Sequence, residues 1–134
     1  MSDKKQPLDL SSLDLVAKSD AGFRLELVHP ASQDALGVFV TVAGTDSKRY
    51  ADLQREVADK RLNKRGPKRN DFAFYEEEAR RVVAGCVMGW DGVVVDGEEL
   101  PYTEANALAL LERFPWIREQ VQTAMGDRGN YLQD

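Results

Sequence analysis

The stretch VMGWDGVVVDGEELPYTEANALALLERFPWIR, residues 87–118, decides how this chain folds, because it forces a series of stops and starts. Gly89 and the pair Asp91-Gly92 supply positions where the backbone tolerates positive φ, so a preceding helix ends and the chain reverses there. The expectation is a helix over 71–88 that finishes with Cys86, Val87 and Met88 and leaves Trp90 at a corner. Val93, Val94 and Val95 are β-branched and read as a short extended piece, with Asp96-Gly97 as a turn able to close a small hairpin. Pro101 holds Leu100 extended, and Thr103 is placed to cap a helix beginning at Glu104, whose carboxylate suits the positive end of the helix dipole. Pro115 then disfavours helical geometry at Phe114 and fits the first turn of a new helix. Two short helices, 103–113 and 115–126, are predicted to meet at a tight bend.

Working outward, Asp71 opens the helix over 71–88, whose apolar stripe is Phe72, Tyr75, Ala79, Val82, Val83 and Cys86, with the C-terminal half the more apolar. Gly85 within it points to close contact with a neighbour. Before it, Thr45, Asp46 and Ser47 offer caps for a helix over 46–64 carrying Tyr50, Leu53, Val57, Ala58 and Leu62 at amphipathic spacing. Gly66-Pro67 ends that helix in a basic loop. Residues 22–28 alternate Phe23, Leu25 and Leu27 with Arg24 and Glu26, and residues 37–43 alternate Val38, Val40 and Val42 with Phe39 and Thr41, predicting an antiparallel pair of strands. Residues 1–20 read as a polar N-terminal tail with scattered leucines, and Tyr131-Leu132 as an apolar plug near the C-terminus. The expected fold class is α+β, an N-terminal antiparallel β-strand pair followed by a mainly helical domain of about four helices, all within one domain over 21–134. A lone strand pair is marginal in water, so it must lie on helices or on another subunit's strands.

The 134 residues are one domain's worth of chain, 43% apolar and 31% charged, in the ordinary globular range. No apolar run approaches the length of a membrane span, and the N-terminal residues lack the apolar segment of a signal peptide. One cysteine, Cys86, excludes an internal disulfide and suits a reducing compartment. The net charge of −5 conceals a division: residues 48–69 carry nine basic side chains against three acidic, and residues 96–134 carry eight acidic against three basic. Such a dipolar chain suits head-to-tail association with a second copy, steering of a charged partner, or solvation of both faces.

Catalytic signatures are missing. There is no phosphate-binding glycine loop and no paired His or Cys at metal-ligand spacing, so no catalytic, cofactor or metal residues are assigned. The single histidine, His29, reads as structural, Cys86 as an inert buried thiol, and Glu76-Glu77-Glu78 as a solvated acidic first turn. The residues assigned to partner binding are the basic group Arg61, Lys64, Arg65, Lys68 and Arg69, together with Trp90, Phe114 and Trp116, the two tryptophans reading also as anchors of the core. The basic group has no interleaved aromatics and the chain is acidic overall, which weighs against nucleic acid.

The pattern Trp90-Asp-Gly-Val93, Leu100-Pro-Tyr-Thr-Glu-Ala-Asn106, Leu110-Leu111, Phe114-Pro-Trp-Ile-Arg118 and Ala124-Met-Gly-Asp-Arg-Gly-Asn-Tyr131 resembles the tail assembly chaperones of long non-contractile-tailed bacteriophages and prophages. The likeness extends over residues 22–132 and rests on the order and spacing of short motifs, none diagnostic alone. It implies a non-catalytic protein of the bacterial host cytoplasm, active in tail morphogenesis and absent from the finished virion. Such a protein binds the tape-measure protein, recruits tail tube subunits around it and associates with itself. Two other readings stay open: a small structural virion protein of the head-tail connector type, and a nucleic-acid-binding regulator using the 60–69 loop.

Overall fold

The computed structural model describes residues 6–63 and 71–132. Its first regular elements are a 3-10 turn at Leu10–Leu13 and helix α1 (Leu15–Ala21), capped in turn by the carboxylates of Asp9 and Asp14. Strands β1 (Phe23–Val28) and β2 (Ala35–Val42) pair antiparallel as the alternation requires, with Leu25 opposite Val40 and Phe23 opposite Val42. Helix α2 (Lys48–Asn63) and helix α3 (Asp71–Cys86) follow, and then a strand, β3 (Val87–Asp91). The two-residue strands β4 (Val94–Val95) and β5 (Glu98–Glu99) form a hairpin ahead of helix α4 (Glu104–Arg113) and helix α5 (Pro115–Gly126).

The expected layout, a strand pair leading into about four helices, is overturned. Among the described residues there are five helices and five strands in two small sheets; α1 precedes the strand pair, and β3 to β5 lie between helices. The third strand is the decisive difference. Val87 and Met88 leave the helix and pair with β2, Val87 opposite Val42 and Trp90 opposite Val40, so the main sheet runs β1-β2-β3. β-branched Val87 and aromatic Trp90 suit a pleated surface, and the open edge of β2 has backbone donors and acceptors to satisfy. The strand pair therefore gains its third strand within its own chain, and no longer gives a reason to expect self-association.

Leu27, Val40, Val42 and Val87 of the sheet are buried together with Val83 and Cys86 of α3, Leu110 and Leu111 of α4, and Val121 and Met125 of α5. The C-terminal half of α3 is the buried half, as its composition suggests. A Cβ on Gly85 would sit 2.8 Å from Leu53 Cδ1, so α2 crosses α3 at that glycine. Ser47 caps α2, its Oγ accepting from Tyr50 N–H at 3.0 Å, and the Asp20 carboxylate accepts from the backbone N–H groups of Lys48 and Arg49. Helix α1 is thereby fixed to the positive end of α2. Thr103 caps α4, Pro115 opens α5, and Tyr131 is buried with its hydroxyl donating to the Val42 carbonyl at 3.1 Å.

Two bidentate ion pairs fasten distant segments: Arg113 to Asp96 at 2.8 and 2.9 Å, and Arg128 to Asp46 at 2.7 and 3.0 Å. Each arginine holds its partner carboxyl below the usual carboxylate range, chiefly by hydrogen bonding. A carboxyl with a depressed pKa takes up a proton less readily folded than unfolded, so its stabilisation is complete above the unfolded value, about 3.9, and disappears as pH falls below it. Acid titration followed by circular dichroism should therefore show a loss of stability below about pH 4. The Arg113→Gln, Arg128→Gln double variant should be less stable at pH 7 and lose less on acidification; a parallel decline in both proteins contradicts this assignment.

Candidate partner-binding surfaces

Trp90 serves the fold more than a partner. Its position in β3 turns the half-buried indole toward the β4–β5 hairpin, where Nε1 donates to the Leu100 carbonyl at 2.8 Å. The Tyr102 ring stands edge-to-face against it, centroids 5.3 Å apart, and the Tyr102 hydroxyl donates to the Val87 carbonyl at 2.7 Å. The C-terminal end of the loop from Gly92 to Thr103 is thus latched onto β3 at Val87 and Trp90. Asp96 and Gly97 both have positive φ, 54° and 81°, the backbone that a two-residue hairpin needs.

Phe114 and Trp116 flank the α4–α5 bend, half-buried, with ring centroids 6.3 Å apart and the Arg113 guanidinium 5.2 Å from the Phe114 ring. They open onto different surfaces. Phe114 lines a cavity of about 290 Å³ beneath the β4–β5 hairpin, whereas Trp116 lines a groove of about 500 Å³ between β1 and α5. The bend that Pro115 creates therefore presents one aromatic to each side.

The expected basic site is only partly within the described residues: Lys64, Arg65, Lys68 and Arg69 lie outside them. Arg61 stacks on Tyr75 at 5.2 Å, joining the end of α2 to the start of α3. Around this contact three large apolar side chains stand exposed among charged ones, Leu62 81%, Phe72 75% and Tyr75 47%. Helical spacing places Leu62, Phe72 and Tyr75 on apolar stripes, which implies burial, yet the protein's own core ends near Val82. A second exposed apolar strip, Leu8, Leu10, Leu13 and Val16, lies on the N-terminal segment.

The groups with reactive potential are engaged structurally. His29 Nδ1 accepts from the backbone N–H groups of Ala31 and Ser32 at 3.0 and 3.1 Å, ordering the β1–β2 loop. Glu78 is buried against Lys60 at 2.9 Å, and Glu77 pairs with Arg81. Burial pushes the Cys86 thiol up to about 11, with Arg49 pulling weakly the other way. Only a trace is thiolate at neutral pH, so alkylation by iodoacetamide at pH 8 should proceed about a hundredfold slower in the native protein than after denaturation. Equal rates contradict the burial of Cys86. Among the described residues no group of three metal-ligating side chains comes together, and no helix is long and apolar enough to cross a membrane.

The family model described as YdaY prophage protein matches residues 45–131, from just before α2 to the end of a 3-10 turn at Arg128–Tyr131. More than half of the chain is covered, and the chain belongs to the YdaY prophage protein family. The matched span contains the Trp90–Tyr102 latch and the Pro115 bend, while β1 and β2 lie outside it. No curated protein and no solved structure matches the chain.

Proposed function

We propose that this member of the YdaY prophage protein family is a tail assembly chaperone, a non-catalytic protein that binds the tape-measure protein and recruits tail tube subunits during morphogenesis. The observation that carries the reading is the ordered series Trp90-Asp-Gly-Val93, Leu100-Pro-Tyr-Thr103 and Phe114-Pro-Trp-Ile117, which resembles that of tail assembly chaperones and falls inside the prophage family match. The exposed Leu62, Phe72 and Tyr75 support it, since a surface of this kind on a small protein serves to meet another chain. An amphipathic helix of the tape-measure protein is the fitting occupant, its apolar side against these three residues. The burial of Cys86 and the loop-ordering role of His29 fit a holding function rather than bond-making.

Deletion of the gene from an inducible prophage, followed by electron microscopy and mass spectrometry of the particles, tests the reading. A chaperone leaves tailless heads when deleted and is missing from purified wild-type particles. Recovery of the chain in stoichiometric amount from finished particles would instead identify a structural virion component.

A further inference from the structure

β1 is an outer strand of the main sheet, bonded to β2 on one side only, and α5 lies beside its other edge. At Val28 that edge is occupied by a side chain: Val28 N–H donates to Gln120 Oε1 at 3.0 Å, and Gln120 Nε2 donates to the Val28 carbonyl at 2.9 Å. These are the two bonds a residue of an added antiparallel strand would exchange with Val28. The groove running past this point, about 500 Å³, combines the half-buried apolar side chains of Leu25 and Trp116 with the carboxylates of Glu26, Glu119 and Asp127. No lysine, arginine or histidine is among the described residues lining it.

We propose that this groove receives an extended, lysine- or arginine-bearing segment of a partner chain, which adds to β1 as a further strand and displaces the Gln120 amide from Val28. Strand addition takes its affinity from the backbone of an edge strand and its selectivity from alternate side chains. Here one set of side chains meets Leu25 and Trp116, and the other meets the carboxylates of Glu119, Glu26 and Asp127, the last two also accepting from the backbone N–H groups of Gly37 and Gly129, with no lysine, arginine or histidine among the described lining residues. The uniform sign attracts basic segments and repels acidic ones. Gln120 keeps the edge satisfied in the free protein, which also discourages indiscriminate pairing between copies. The inference rests on the proposed function, in that it takes the protein to be one that holds other chains, and it identifies one surface and the chemistry of what binds there.

The test uses the isotopically labelled full chain at low salt, titrated with a decapeptide of alternating lysine and valine and with its counterpart bearing glutamate for lysine. The lysine peptide is expected to bind at least about tenfold more tightly, moving the resonances of the Val28 amide, the Gln120 side-chain amide and the Trp116 indole. Glu119→Lys, on an exposed position, should weaken that binding about tenfold, and Gln120→Ala should strengthen it about fivefold by removing the competitor for Val28. Equal binding of the two peptides overturns the proposal, as does a response confined to Phe72 and Tyr75. Low-salt dimerisation of the peptide-free protein that Glu119→Lys abolishes also overturns it, by assigning the groove to a second copy. Peptide binding is read on the isolated chain, so its failure leaves the chaperone reading to be decided separately by the composition of the particles.

Discussion

Trp90→Ala is expected to cost about 3 to 4 kcal/mol and lower the melting temperature by about 12 °C, the largest effect of any single truncation outside the fully buried core. Three contributions vanish together. The alanine cannot donate to the Leu100 carbonyl, worth about 1 kcal/mol; it has no ring for Tyr102 to meet edge-on, worth about 1 kcal/mol more; and it leaves a void between β3 and the hairpin. Trp90→Phe separates these, keeping most of the ring contact while losing the donor, and should cost about 1 to 2 kcal/mol. Tyr102→Phe, which loses only the bond to Val87, should cost about 1 kcal/mol. Chemical denaturation of the three variants gives the ordering directly. If Trp90→Ala proves no worse than Tyr102→Phe, the latch is not what holds the hairpin to β3.

The second large effect is expected at Gly92. Its φ is +80°, and a Cβ built there would lie 2.8 Å from the carbonyl oxygen of Gly37 at the start of β2. The obstacle is backbone, so relief requires the β2 end to shift. Gly92→Ala should therefore cost about 3 kcal/mol, the left-handed conformation and the collision each contributing. Gly97 provides the control, with φ of +81° and nothing within 4 Å of a Cβ. Gly97→Ala should cost about 1 to 2 kcal/mol from conformation alone. The difference between the two alanine variants measures the close approach of β3 to β2, and equal costs would mean that the approach imposes no constraint.

How much of this architecture is legible in the sequence follows from how local each determinant is. Thr103, Pro115 and the Asp96-Gly97 turn act within a few residues, so their reading agrees with the structure. Gly85 is legible for a similar reason, since a glycine amid apolar helical residues signals close packing, here against Leu53. Val87 and Met88 are misread because their fate depends on Val42 and the open edge of β2, far away in sequence. Local propensity alone continues the helix through them. Helix α1 is missed for the same reason: its seven residues are short, and Asp20 fixes it by capping a helix 28 residues further on.

The surfaces divide in the same way. The sequence identifies Leu62, Phe72 and Tyr75 as apolar stripe residues, but periodicity does not say whether the stripe is covered, and here it faces outward. Trp90 and Trp116 look alike in the sequence. The first is held by the hairpin, whereas the second lines an open groove, and the difference comes from Pro115 turning the chain at Phe114. The pairing of Gln120 with Val28 spans 92 positions and has no sequence signal at all.

The proposed function requires an apolar surface of this chain, at Leu62, Phe72 and Tyr75, to hold the tape-measure protein. Co-expression of the tape-measure protein of the same prophage with the wild-type chain, or with the Leu62→Ser, Phe72→Ser, Tyr75→Ser variant, tests it most directly, reading the fraction of tape-measure protein left in the supernatant. The wild type is expected to keep most of it in solution, and the triple variant, with an unchanged circular dichroism spectrum, to lose at least tenfold of that effect. A tape-measure protein that precipitates equally with the wild type, the variant and an empty vector would contradict the account.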